Sequence, residues 1–190
     1  MNIQPVALKE WALAVEALLD GSQIMLLRKG GIAEETRRFE LRSPSFYLLP
    51  TYEHQRAELV KEAYRPYYGR SMAQYKPESG QVQLKACAFA AEDLEVKDQA
   101  ELAELFPYHM WTASFAEERL RWKAKEPLHV LLLRVYAMEV PCNLEMTDEY
   151  RGCRSWVELV PPPPAGELRP VLDDGEFERK CMEIRERLGR

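Results

Sequence analysis

Residues 128–138 read LHVLLLRVYAM and residues 81–96 read QVQLKACAFAAEDLEV. In the second stretch Val82, Leu84, Ala86 and Ala88 alternate with Gln83, Lys85 and Cys87, the period of two that a half-buried strand requires. The first is the most strand-like run of the chain and is expected to be a central strand. Two such strands, with helical periodicity on either side of them, predict the α+β class. The expected architecture is a mixed, mainly antiparallel sheet or partial barrel flanked by four or five helices.

Toward the N-terminus, residues 6–19 (VALKEWALAVEALL) place Leu8, Trp11, Val15 and Leu18 at helical spacing, with Lys9, Glu10 and Glu16 off that stripe. The spacing predicts an amphipathic helix, broken by Asp20-Gly21 and followed by a short buried strand over 23–29. Residues 39–42 and 46–49 read as short extended pieces on either side of Ser43-Pro44. A second helix is predicted over 52–64, capped by Thr51 and ending near Pro66, with 67–80 as a surface loop.

Toward the C-terminus, helices are predicted over 98–106 and 114–125. Residues 154–160 read as a strand closed by Pro161 to Pro164, since proline cannot donate to a sheet ladder. A last helix, capped by Asp173 or Asp174, carries Phe177, Cys181, Ile184 and Leu188 on one stripe. The expected organisation is one domain over 1–160, a proline-rich linker over 161–172, and a helix over 173–190 that packs back on the same domain.

The chain has 190 residues, 46% of them hydrophobic and 30% charged, which supports a folded core. Its formal net charge of −5 repels nucleic acid on average, but residues 1–80 are nearly charge-balanced and leave room for a basic face. No apolar run reaches the roughly 18–20 residues of a membrane span, so no membrane association is expected. The four cysteines form no CxxC pair, which fits reduced thiols in a cytoplasmic protein and gives no zinc signature. Neither GxxxxGK[ST] nor GxGxxG is present, and no cofactor is expected.

Six segments occur in order: LLRKGGI (26–32), PTYEHQ (50–55), HMWT (109–112), RLRWK (119–123), LLLRVYAM (131–138) and GCRSWVEL (152–159). Together they resemble the uncharacterised bacterial family catalogued as domain of unknown function 1802, from Ala7 to about Phe177. That family carries no established activity, so the resemblance implies no mechanism. The stretches 81–96, 109–112 and 128–138 are also similar to PUA-like RNA-binding barrels.

Several residues are candidates for chemistry. Arg28-Lys29-Gly30-Gly31 sets two cations and two glycines at a strand end, where a phosphate or carboxylate could be cradled; the alternative is a strand exit with solvated charges. His54, at the expected helix start, is a candidate base or ligand, or a capping residue. His109 and Trp111 pair a polar tip with an aromatic face suited to base stacking, and Arg119 lies downstream of them; Trp111 as core filling is the other reading. Glu40, Glu78 and Lys85 could form a metal-dependent phosphoester hydrolase site. Cys153 between Arg151 and Arg154 is either an activated thiolate or a buried thiol. Arg134 and Glu158, charges inside apolar strands, are expected to pair across strands.

The function these residues suggest is a nucleic-acid- or nucleotide-binding accessory module, with ligand contacts from Arg28, Lys29, His54, His109, Trp111 and Arg119. The alternatives are the hydrolase and a protein-interaction domain without a small ligand. No catalytic residue and no metal ligand is assigned.

Overall fold

The computed structural model describes residues 3–29, 39–152 and 154–190. The elements run β1 Val6–Trp11, α1 Ala12–Leu19, β2 Met25–Arg28, β3 Ser45–Thr51, α2 Arg65–Gln74, β4 Gln81–Val96, α3 Gln99–Glu104, α4 Ala113–Arg121, β5 Leu128–Glu145, β6 Trp156–Glu158, β7 Leu168–Pro170 and α5 Asp174–Arg187. The strand order is β2-β5-β4-β3-β1-β6, with β7 also paired to β5. β1 and β3 are parallel and the other pairings antiparallel, so the sheet is mixed; it curls into a half-barrel carrying five α-helices among the described residues.

The two long strands organise the sheet as their sequences predict. β4 and β5 pair from Gln81↔Glu145 to Val96↔Leu128, with register shifts between Leu84 and Ala86 and between Ala90 and Glu92. Such irregularities bend a strand and increase its twist, which suits the curl. One edge of β5 is shared: β2 pairs with residues 129–132 and β7 with residues 136–138.

Residues 6–19 differ from their helical reading. Only α1, from Ala12, is helical, whereas 6–11 form β1 between β3 and β6. Leu8 packs in one core cluster and Ala7 in another, as Phe46 and Leu48 do opposite Tyr47 and Leu49 on β3. Both faces of these strands are buried, which erases the polar alternation that marks a half-exposed strand. Lys9 and Glu10 are buried inside β1 because partners receive them: Lys9 Nζ donates to the Gly152 carbonyl at 2.6 Å and Glu10 pairs with Arg28.

Residues 52–64 hold two short 3-10 turns, Ala57–Leu59 and Glu62–Tyr64, in place of the expected helix. The helix comes later, as α2, within the stretch read as a loop. Pro66 sits in its first turn, where a missing N–H costs nothing, so the proline starts a helix that the sequence reading had it end. Tyr67 and Ser71 of α2 are buried.

The proline-rich stretch 161–172 includes β7, whose Pro170 is tolerated because the strand lies at an edge. α5 follows, its first turn capped by Asp173, which accepts from the Glu176 amide at 2.7 Å. Phe177, Cys181 and Ile184 enter the main core. Arg134 donates to the Leu172 carbonyl at 2.6 Å and pairs with Asp174 at 2.6 Å. Its expected partner, Glu158, is exposed on β6, which is not adjacent to β5; cross-strand pairs need neighbouring strands.

Candidate functional site

The C-terminal ends of β1, β2 and β3 come together, and α4 and the chain before β6 close over them. A cleft of about 570 Å³ lies there, walled by Arg28, Lys29, His54 and Arg119 together with Lys9, Glu10, Trp11, Phe115, Trp122 and Arg154. Four of the six residues singled out in the sequence thus meet in one place, although they span residues 28–119.

At the floor of the cleft, Arg28 Nη1 contacts Glu10 Oε2 at 2.9 Å and donates to the Lys9 carbonyl at 3.3 Å. Arg28 Nε is buried without a hydrogen-bond partner among the described residues. The guanidinium also lies 5.5 Å from the Phe39 ring centroid. Arg119, on α4, donates to the Leu27 carbonyl at 3.2 Å and packs over Phe115 at 5.3 Å. Burial holds Arg119 below the ordinary arginine pKa, opposed by the Glu10 carboxylate and reinforced by the Arg28 charge. Lys29 donates to the Leu120 carbonyl, and burial lowers its pKa despite Glu126. Gly30 and Gly31 lie outside the described residues.

His54 occupies a turn after β3 with φ at 63°, a left-handed conformation sparse for a residue other than glycine. Its neighbour Gln55 anchors that turn: the buried Gln55 Oε1 accepts from the Leu13 amide of α1 at 2.8 Å, serving an N-terminal helix donor that Trp11 does not cap. His54 itself is exposed at the rim, as are Arg154 and Glu118. Trp122, just past the end of α4, is 42% exposed and gives the rim an aromatic face. The described wall carries Lys9, Arg28, Lys29, Arg119 and Arg154 against Glu10, Glu53 and Glu118. A cationic excess in a concave, low-dielectric setting attracts anions, and guanidinium forks match phosphate oxygens.

Trp111 and His109 do not face this cleft. Trp111 is 3% exposed and serves as core, edge-on to Trp11 at 5.2 Å and tilted on Phe115 at 4.9 Å. It supports the cleft from behind and offers no stacking surface. His109 turns toward a separate cavity of about 310 Å³ between α3 and α4, lined by Leu102, Phe106 and Ala116. Its Nδ1 accepts from the Trp111 amide at 3.2 Å, and Nε2 is buried without a partner among the described residues. Burial, with the Lys61 charge beside it, pushes its pKa down to about 3.

The hydrolase residues are not assembled. Glu40 lies beside the cavity of His129, Glu78 sits in the turn before β4, and Lys85 pairs with Glu16 at 3.3 Å and with Gln74. Among the described residues no cluster of His, Cys, Asp or Glu could hold a metal ion. Cys153 lies outside the described residues.

Sequence reading missed Lys9, Trp11, Phe115, Trp122 and Arg154 as walls of the cleft. The signal for Lys9 and Glu10 was present, because two charges inside a run that is otherwise apolar need partners once that run is read as a strand. Trp122 gave none, because it falls seven residues after Phe115, at the spacing of a core residue, and is exposed only because α4 ends at Arg121.

A family model described as Domain of unknown function (DUF1802) matches residues 7–183. No curated protein and no solved structure matches the chain. The similarity of three segments to PUA-like RNA-binding barrels accordingly has no solved structure behind it.

Proposed function

We propose that this chain, which belongs to the family described as Domain of unknown function (DUF1802), is a nucleic-acid- or nucleotide-binding module. The observation that carries the reading is the convergence of Arg28, Lys29, His54 and Arg119 on one cleft beside the exposed Trp122. The cleft's volume of about 570 Å³ lies within the usual range for small-molecule sites, roughly 300–1,000 Å³. Cations at the floor and rim suit a phosphate, and an aromatic rim suits a base, which stacks on any π-face.

Arg28, Lys29 and Arg119 are tied into the fold by their hydrogen bonds, so the rim residues make the cleaner test. Labelled single-stranded RNA and DNA, and nucleoside monophosphates, would be titrated at low and moderate salt. Binding should weaken as salt rises, because counterions are released from each neutralised phosphate. Arg154→Ala should weaken it, and Trp122→Ala should cost about 1–3 kcal/mol if a base stacks there. Absence of binding by every one of these probes at low salt would remove the reading and leave the interaction-domain alternative. The hydrolase alternative would need Glu40, Glu78 and Lys85 in one place, and they sit apart.

A further inference from the structure

Building on the binding reading above, we infer that the ligand is a single-stranded polynucleotide, which continues from the cleft past Lys9 into a neighbouring groove. That groove shares Lys9, Thr51 and Glu53 with the cleft as common walls, so the two concavities are neighbours along the ends of β1 and β3. Its volume is about 80 Å³, against about 570 Å³ for the cleft. The narrower space suits a phosphate group better than a second base.

The lining fits a backbone segment. Lys76 and Arg151 add two exposed cations to Lys9, and Glu53 is the carboxylate among the described wall residues. Tyr52, after β3, and Tyr75, after α2, stack at 4.3 Å with 13° between their planes, which gives the groove a firm aromatic side. Arg151 is held by a hydrogen bond from Nη2 to the Met146 carbonyl at 3.3 Å. A large cavity with an aromatic rim and a small cationic groove, joined at a lysine, match a nucleotide and the phosphate of the next one. A mononucleotide would use only the larger cavity. The combined walls hold Lys9, Arg28, Lys29, Arg119 and Arg154 plus the two groove cations, on a chain whose formal net charge is −5. Positive charge is therefore concentrated along this path.

The experiment compares fluorescein-labelled uridylate and thymidylate octamers with uridine and thymidine monophosphates, on the full chain and on the double variant Lys76→Ser/Arg151→Ser. In the double variant octamer binding should fall, and the slope of log affinity against log salt should shrink by about 1.4, the value for two single-strand phosphate contacts. Monophosphate binding should be unchanged. Unaltered thermal melting would show that the exposed substitutions leave the fold intact. Equal octamer affinity for variant and parent, with Arg154→Ala still weakening it, would overturn the polynucleotide path and leave a mononucleotide cleft. Failure of both octamers and both monophosphates to bind at low salt would instead overturn the cleft reading itself. The uridylate and thymidylate arms separate RNA from DNA.

Discussion

Arg28 Nη1 lies 2.9 Å from Glu10 Oε2, and the two side chains are only 10% and 4% exposed, although β5, β4 and β3 stand between their strands in the sheet. In a flat sheet β2 and β1 would be about 19 Å apart, four spacings of about 4.8 Å. The ion pair is therefore a contact across the curl of the half-barrel, and it sets the floor of the cleft. It also ties the site to the fold: the cation offered to a ligand is one that the strands already use.

Glu10→Gln should lower stability by about 3 kcal/mol in urea denaturation, because removing one partner leaves a buried charge uncompensated. The amide retains an oxygen for the Trp11 N–H, which Glu10 Oε1 accepts at 2.8 Å, so that helix-start contact is not the cause. Replacing Arg28 by methionine in the same variant should recover part of the loss. A change below 1 kcal/mol would mean that the pair contributes little to closing the sheet.

The buried His109 and the half-buried His129 should titrate on opposite sides of 6.5. His109 is held neutral down to about 3, and its Nδ1, an acceptor, places the proton on Nε2. Nitrogen-15 spectra should show that tautomer unchanged from pH 8 to about 4. His129 is raised, first by its hydrogen bond to Asp93 at 2.8 Å. For His109 the unfolded chain takes up the proton first, so stability is full above about 6.5 and declines as pH falls toward 3, by at most about 1.4 kcal/mol per pH unit. For His129 the sign reverses: its contribution is present below about 6.5 and is lost as pH rises through the folded value. Protonation of His109 near 6 would contradict its burial.

The thiols should react in an order set by burial. Cys87 and Cys181 are buried, and desolvation pushes both up to about 11; Cys142 is only half-buried. With an aromatic disulfide reagent at pH 8, Cys142 should be modified well before either of them. Denaturation under non-reducing conditions should release four thiols, the number in the sequence. Recovery of two or fewer from protein made in a reducing cytoplasm would point to a disulfide.

Truncation after Pro164 should give insoluble protein or a large fall in melting temperature. It removes β7 and α5, and with α5 the core residues Phe177 and Ile184, each worth roughly 1.5–3 kcal/mol when fully buried. It also strips Arg134 of Asp174 and of the Leu172 carbonyl. A shortened chain that melts within a degree or two of the full one would make α5 an appendage.

Local pattern determined much of this protein. The alternation in 81–96 and the apolar run at 128–138 made β4 and β5 legible, and the stripe of Phe177, Cys181 and Ile184 gave α5, because each signal depends only on neighbours along the chain. Those periods support the α+β class. Tertiary structure decided what periodicity cannot express. β1 is buried on both faces, so its charged Lys9 and Glu10 read as the polar side of a helix until partners from Gly152 and β2 are in place. Pro66 could end one helix or begin another, and only packing against α1 selected the second. The candidate site divides in the same way: Arg28, Lys29, His54 and Arg119 stood out singly as residue types, but their meeting depends on the curl that brings β2 to β1. That curl also sent Trp111 into the core and His109 to another cavity, since which side of a fold a side chain faces is fixed by long-range contacts that no short stretch of sequence contains.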